Sequence, residues 1–252
     1  MTGMEKDPKL MNDLQDIIEG DGRTIDAAVK RIEARKALGR RLGAHAGRQR
    51  KYEPGVTAVM PCIPPRSGHD VPGTMPRAMK SILSQTRPVD VVVLAFDHHH
   101  EGAAATRNRA LAAVRTEWVA FLDDDDEWLP GHVERLLSHA EKTGADVVYP
   151  WFDVPEGFDP FPFYEGKPFN EKALRDVQNY IPVTVLARTG LLTGVGGFEN
   201  RNDSTADGAS PCEEWGLWLK LLDIGAVFSH CPERTWLWHW HGGNTSGRGD
   251  RW

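Results

Sequence analysis

The sequence contains few cysteines and no long apolar run. Its three cysteines, Cys62, Cys212 and Cys231, are too few and too far apart for a disulfide framework or a zinc knuckle. No apolar stretch approaches the roughly 20 residues of a membrane-spanning helix, and the first residues lack the basic and then apolar pattern of a secretion signal. We therefore expect a protein without a transmembrane segment that acts in the reducing cytoplasm.

Several familiar nucleotide-binding and hydrolase motifs are also absent. No Gly-x-Gly-x-x-Gly follows the first predicted strand, which argues against a nicotinamide-dependent enzyme. No Gly-x-x-x-x-Gly-Lys-Ser/Thr occurs, which argues against a P-loop kinase. No Gly-x-Ser-x-Gly occurs either, so the nucleophile turn of the α/β-hydrolases is missing.

The composition is that of a globular chain, with a basic segment near its start. The chain has 252 residues, of which 40% are hydrophobic and 26% charged, as in ordinary globular domains. Residues 30–51 hold nine lysines and arginines against the single acid Glu33, although the whole chain carries a net charge of −6. Such a segment can bind nucleic acid, an anionic surface or the acidic remainder of the chain.

Residues 1–50 have the pattern of a helical extension that precedes a domain over 51–252. Apolar residues recur at helical spacing between 10 and 18 and again between 25 and 32, with Gly20-Asp21-Gly22 between the two stretches. Amphipathic helices need an apolar surface to pack against. The extension therefore packs on the domain or on a second copy of the chain, which makes a homo-oligomer possible.

From residue 56 onward, strands and helices alternate as in βαβ units. This alternation predicts an α/β domain with a mostly parallel central sheet flanked by helices, and ligands bind such sheets beyond the carboxyl ends of the strands. Those ends carry Pro61, Asp97 and an acidic run at 123–126. Residues 151–169, rich in proline and aromatics, indicate an ordered excursion or a lid. The predicted strands are 56–60, 89–96, 118–122, 145–149 and 183–187, and the predicted helices are 75–85, 103–115, 131–142 and 212–222.

The acidic run FLDDDDEW is the first candidate for chemistry. Because side chains alternate along a strand, Asp123 and Asp125 project to the same side. Two carboxylates at that spacing repel each other unless a cation lies between them, and their oxygens suit Mg²⁺ or Mn²⁺ bridging to substrate phosphates. The alternative is a solvated acidic loop that caps the next helix.

The segment CEEWGLWLKLL is the second candidate. On a helix that starts near residue 212, Glu214 shares a stripe with Leu217, Trp218 and Leu221. Partial burial would raise the pKa of Glu214 toward a value useful to a general base. The alternative is a first-turn acid that the helix dipole favours, and this explains the neighbouring Glu213 better than Glu214.

The pair His239 and His241 is the third candidate. In an extended segment both imidazoles point to the same side, and neutral imidazole can bind a metal. The alternative is one hydrogen-bonded histidine and one exposed histidine.

Taken in order, these stretches resemble the family 2 glycosyltransferases of GT-A fold over roughly residues 55–245. The resemblance implies the GT-A fold and a metal-dependent inverting glycosyltransferase that uses Mn²⁺ or Mg²⁺. It would move a sugar from a nucleotide-diphosphate donor, with a UDP-sugar favoured, to an acceptor hydroxyl in a single displacement. The stretches that carry the resemblance are VTAVMPCIPPR, SILSQTRPVDVVVLAFD, GAAATRNRAL, WVAFLDDDDEWLPGHVERL, GVGGFEN and EEWGLWLKL.

The resemblance also implies roles for individual residues. Glu214 matches the catalytic base, and Asp97 matches the acid that reads the nucleotide base. By the same resemblance, Asp125 binds the metal and Asp123 contacts the ribose or a metal-bound water. The nucleotide cleft would be lined by Pro61, Arg107 and Asp124. The metal or the diphosphate would be met by His241, or else by His239.

Two alternative functions remain open from the sequence. The first is a nucleotidyltransferase that makes sugar nucleotides, although PCIPPRSG supplies only one arginine and one glycine for its phosphate loop. The second is a catalytically retired GT-A module that binds carbohydrate or nucleic acid. For a transferase, the acceptor could be a protein side chain, a glycan, a lipid carrier or a modified nucleobase.

Overall fold

The computed structural model describes residues 52–62, 74–99, 101–155, 157, 159–199 and 213–239. The predicted helical extension, its basic segment, Cys212 and His241 lie outside the described residues. The described residues form an α/β fold in which helices pack on one central sheet.

Within these ranges the sheet has seven strands in the order β2-β1-β3-β6-β5-β7-β4. The strands are β1 (Glu53–Cys62), β2 (Val91–Phe96), β3 (Thr116–Phe121), β4 (Glu127–Trp128), β5 (Val147–Asp153), β6 (Leu186–Arg188) and β7 (Phe228–Leu237). The helices are α1 (Thr74–Leu83), α2 (Ala103–Leu111), α3 (His132–Thr143), α4 (Glu171–Asp176), α5 (Thr189–Gly194) and α6 (Glu213–Asp223).

The parallel strands β2, β1 and β3 are short apolar runs that the fold buries. Val56 and Val59 of β1 are fully buried, and the Asp90 carboxylate accepts a hydrogen bond of 2.8 Å from the backbone amide of Val56. Because the three strands run in the same direction, their carboxyl ends lie at one edge of the sheet. At that edge the amide of Asp97 donates to the carbonyl of Cys62 over 2.9 Å.

The sheet is less parallel than the sequence predicts. Strand β6 runs antiparallel to both β3 and β5, and β4 runs antiparallel to β7. Strand β7 is hard to recognise because its pairing with β5 jumps from Pro150 opposite Cys231 to Trp151 opposite Arg234. The exposed residues 232–233 form the bulge, and a bulge interrupts the period-two pattern that identifies a strand in a sequence.

The helices pack on the sheet as predicted, with two additions. Helix α2 packs on β1 and β2, α3 packs on β5 and β7, and α5 packs on β3. The six-residue helices α4 and α5 are too short for a helical period to predict them. Over the described ranges, no helix has the length and apolar character needed to cross a membrane.

The aromatic segment 151–169 packs against the sheet in its described part. Phe161 is buried, and the indole of Trp151 donates to a carboxylate oxygen of Asp159 over 2.7 Å. The ring of Tyr164 stacks on that of Tyr180, with 4.1 Å between the ring centroids. These contacts make the segment an ordered excursion whose aromatic rings extend the core.

Candidate active site

Three predicted site features lie where the parallel strands end. Pro61 is buried near the end of β1, and Asp97 follows β2. The run Asp123–Asp126, hereafter the acidic loop, follows β3. Both carboxylate oxygens of Asp97 accept backbone hydrogen bonds, from the amide of Glu101 over 2.8 Å and from that of Gly102 over 3.0 Å. Asp97 therefore holds the turn that leads from the edge of the sheet into α2.

Arg107 connects the acidic loop to helix α6. Its side chain lies on the buried face of α2 and is only 6% exposed. One terminal nitrogen, Nη2, donates to both carboxylate oxygens of Asp123, over 2.7 and 2.9 Å. The other, Nη1, donates to Oε1 of Glu213 at the start of α6. A single guanidinium thus joins two segments that lie far apart in the sequence.

The charge of Arg107 is stabilised by the acids around it. Burial by itself lowers the pKa of an arginine, but the carboxylates of Asp123, Glu213 and Glu214 outweigh burial and raise the pKa of Arg107 above its ordinary value. The guanidinium carbon also lies 5.6 Å from the ring centroid of Phe198, a cation–π distance. Arg107 is therefore permanently cationic, and removing one of its partners would leave a buried charge poorly compensated.

Helix α6 has the buried stripe that the sequence predicts. Leu217, Trp218 and Leu221 are fully buried, and Glu214 lies partly buried at the start of the same stripe. Since the Glu214 carboxylate acts on the pKa of Arg107, it lies near the junction between α6 and the acidic loop. The assignment of Glu214 as catalytic base stays a prediction.

The far end of the acidic loop contacts the segment that follows β7. Asp126 is buried, and one of its carboxylate oxygens accepts a 3.0 Å hydrogen bond from the backbone amide of His239. Burial, with repulsion from Asp125 and Asp123, raises the pKa of Asp126 well above its ordinary value. The ring nitrogen Nε2 of His239 lies 3.4 Å from a carboxylate oxygen of Glu127. The structure thus places the backbone of His239 against the acidic loop and its imidazole beside Glu127, and a role for His239 at a metal stays a prediction.

Cys62, at the end of β1, lies close to the acidic loop. Burial raises the pKa of its thiol to about 12, and the negative charges of Asp124 and Asp123 act in the same direction. Because the thiolate is the reactive form of cysteine, Cys62 is a neutral core residue at physiological pH and not a nucleophile.

A divalent ion at the acidic loop would need ligands from a substrate as well as from the protein. Within the described residues, no three acidic, histidine or cysteine side chains are grouped so that they could hold a metal ion by themselves. Mg²⁺ in nucleotide sites commonly takes only one or two carboxylates and completes its shell with phosphate oxygens and water. Both oxygens of Asp123 accept hydrogen bonds from Arg107, and the assignment of Asp125 as the metal ligand stays a prediction.

Glu213 is the main residue of the candidate site that the sequence analysis missed. There it is explained as a first-turn acid that the helix dipole favours, with no further role. A signal for it exists in the sequence of α2. Ala104, Arg107 and Leu111 recur at helical spacing and all three are buried. An arginine on such a stripe requires carboxylate partners, and Glu213 accepts one of its hydrogen bonds.

The chain is similar to proteins of a known enzyme family. Residues 77–190 match the family model described as Glycosyl transferase family 2. The pre-mycofactocin glycosyltransferase of Mycobacterium tuberculosis is 31% identical over 144 residues, which cover 53% of this chain and 29% of that protein. The succinoglycan biosynthesis protein ExoO of Rhizobium meliloti is 33% identical over 64 residues, which cover 25% of this chain and 18% of that protein. The chain thus matches less than a third of the length of these curated relatives.

The fold agrees with solved structures as well. The crystal structure of S. aureus TarS 1-349 in complex with UDP-GlcNAc superposes with a TM-score of 0.61 at 15% sequence identity. The match covers 77% of this chain and 61% of that chain. At this level of identity the likeness establishes the fold, which is the predicted GT-A fold.

Proposed function

Because the chain carries a glycosyltransferase family 2 domain of GT-A fold, we propose that it transfers a sugar from a nucleotide-diphosphate donor to an acceptor hydroxyl, with inversion in a single displacement. The observation that carries the proposal is the shared guanidinium of Arg107. Asp123 and Glu213 both bind it, which supports a donor end and a base end that lie side by side. The donor that we favour is a UDP-sugar, because TarS was solved with UDP-GlcNAc.

The donor end of the proposed site is the acidic loop. Asp125 would hold a Mn²⁺ or Mg²⁺ ion with the donor phosphates, and Asp123, Asp124, His239 and His241 are the further candidates for contact with the ion, the ribose or the diphosphate. When bound, such an ion neutralises the charge that develops on the leaving diphosphate. Asp97 and Pro61, at the ends of the neighbouring strands, support the proposal that the nucleoside lies along this edge.

The base end of the proposed site is the first turn of α6. An acceptor hydroxyl is a poor nucleophile until a base removes its proton. Glu214 begins the buried stripe of α6 and lies next to Glu213, which binds Arg107. We assign the proton transfer to the Glu214 carboxylate, with the sugar ring between this group and the acidic loop.

Two further parts of the proposal rest on the sequence. We propose that the protein acts in the cytoplasm and that residues 1–50 join two copies of the chain. The acceptor stays open among the classes named above.

A thermal-unfolding screen tests the donor. UDP-, GDP- and dTDP-sugars are added to the wild-type chain with and without Mn²⁺. We expect a UDP-sugar with Mn²⁺ to raise the unfolding midpoint by roughly 5–10 °C at about 100 times its Kd. Stabilisation by a nucleoside triphosphate and a sugar phosphate, with no nucleotide sugar effective, would favour the nucleotidyltransferase instead.

The metal is tested separately from the donor. The Asp125→Asn variant should lose the Mn²⁺-dependent part of the stabilisation. The matched control is Asp176→Asn, whose carboxylate is 53% exposed in a surface pair with Lys172, and it should retain that part. Full transfer in excess EDTA would remove the metal from the proposal and leave the transfer reaction in place.

A further inference from the structure

We propose that Glu213 is a positioning residue, which fixes the first turn of α6 relative to the acidic loop through Arg107. The proposal rests on the proposed transfer reaction, since the group that Glu213 would position is the Glu214 carboxylate. Glu213 itself need not touch donor or acceptor. Its carboxylate faces the guanidinium, and its side chain is only 25% exposed.

Glu213 provides the hydrogen bond that links α6 to Arg107. Over the described ranges, Nε of Arg107 is buried without a hydrogen-bond partner. The guanidinium is therefore held through its two terminal nitrogens, Nη2 by Asp123 and Nη1 by Glu213. Without Glu213, the acidic loop would keep its hold on Arg107, whereas α6 would lose this link to it.

Two further hydrogen bonds join α6 to parts of the fold other than the acidic loop. The indole of Trp215 donates to the carbonyl of Leu174 over 2.7 Å, and that of Trp218 donates to the carbonyl of Ile181 over 3.0 Å. These bonds fix the helix against the body of the fold. The bond from Glu213 adds the orientation toward the acidic loop, and hence the distance from Glu214 to the sugar.

Three substitutions separate a positioning role from a general loss of stability. Glu213→Ala removes the acceptor of the Nη1 bond, whereas Glu213→Gln keeps an acceptor oxygen and removes only the charge. Glu233→Gln is the matched control, because Glu233 forms an ion pair of 2.7 Å with Arg135 in which both side chains are 49% exposed. This pair involves none of the groups of the proposed site.

The first readout is the split between turnover and donor affinity. For Glu213→Ala we expect kcat to fall roughly 10- to 100-fold, since a small displacement of a catalytic group costs about that much. Donor Kd, measured by calorimetry, should stay within about threefold, because the acidic loop keeps its contact with Arg107. Glu213→Gln should lose less than about tenfold in kcat, and Glu233→Gln should match wild type.

The second readout does not depend on activity. Hydrogen–deuterium exchange should become faster in the Glu213→Ala variant over the first turn of α6, while exchange in the acidic loop, which keeps its bond to Arg107, and in Glu233→Gln stays unchanged. Faster exchange at the start of α6 without any transfer by the wild-type chain would overturn the proposed function and support the junction. Unchanged exchange, or a loss of donor affinity as large as the loss of kcat, would overturn the positioning role of Glu213. If the Ala variant does not fold, the Gln variant is measured by the same two readouts, with changes in the same direction but smaller.

Discussion

At the scale of single residues, the surroundings of each buried ionisable group decide its charge. Arg107 stays charged because carboxylates surround it. His132, fully buried at the start of α3, has no such compensation: its ring stacks on Trp128 with centroids 4.5 Å apart, and its Nδ1 lies 2.8 Å from the hydroxyl of Thr235. Burial lowers the pKa of His132 from 6.5 to about 3.

Because His132 is neutral in the folded chain, we expect the free energy of unfolding to fall in mild acid. In the unfolded chain His132 takes up a proton below pH 6.5, whereas in the folded chain it does so only near pH 3. The stability that it contributes is therefore complete above pH 6.5 and is lost as the pH falls toward 3. Between pH 7.5 and pH 5 we expect a loss of about 2 kcal/mol from this group.

Urea unfolding of the wild type and His132→Gln at the two pH values checks this expectation. The variant should be less stable at pH 7.5 but should lose about 2 kcal/mol less on acidification. The exposed His98 supplies the control, since His98→Gln should keep the wild-type pH dependence. Equal pH dependence in all three proteins would mean that His132 takes up its proton in the folded state.

At the scale of elements, the turn after α5 is hydrogen-bonded to Asn108, the neighbour of Arg107 on α2. The side-chain amide of Asn108 donates to the carbonyl of Phe198 over 2.7 Å, and its oxygen accepts from the amide of Phe198 over 2.9 Å. Gly196 and Gly197 precede Phe198 with φ of 84° and 71°. A Cβ on Gly197 would strike the Asn108 side chain, whereas one on Gly196 would meet open space.

This difference makes the two glycines a matched pair. Gly196→Ala should destabilise the fold by about 1 kcal/mol, the cost of a left-handed backbone alone. Gly197→Ala should cost about 3 kcal/mol, because displacing Asn108 adds a steric penalty. Urea unfolding measures both, and equal losses would show that the Asn108 contact does not constrain the turn.

Some strands and helices can be predicted from the sequence and others cannot. Strands β1, β2 and β3 and helix α6 can be predicted, because continuous apolar runs and a helical stripe are visible directly in the order of residues. Strand β7 does not appear in this way, since the bulge at 232–233 interrupts it. For the site, the strand ends predict the acidic loop, but the role of Glu213 depends on a tertiary contact with Arg107, and the helix pattern carries no information on that contact.

At the scale of the whole molecule, we propose that the chain divides into an extension over 1–50 and a catalytic domain over 51–252. The described site is built from segments between Pro61 and His239. A chain that begins at residue 51 should therefore bind its donor with a Kd within about threefold of the full chain, while solubility or oligomeric state changes. Calorimetry and light scattering measure the two properties. Loss of donor binding on truncation would assign the extension to the site.

In the proposed reaction, a carboxylate at the start of α6 faces a donor held by the acidic loop. The measurement that tests it most directly is the single-turnover transfer rate of Glu214→Gln at saturating donor, beside that of Glu213→Gln. We predict a fall of at least about 100-fold for Glu214→Gln, the usual cost of losing a general base, with donor affinity retained, and a fall below about tenfold for Glu213→Gln. Equal rates in the two variants, or a wild-type rate in Glu214→Gln, would contradict the claim.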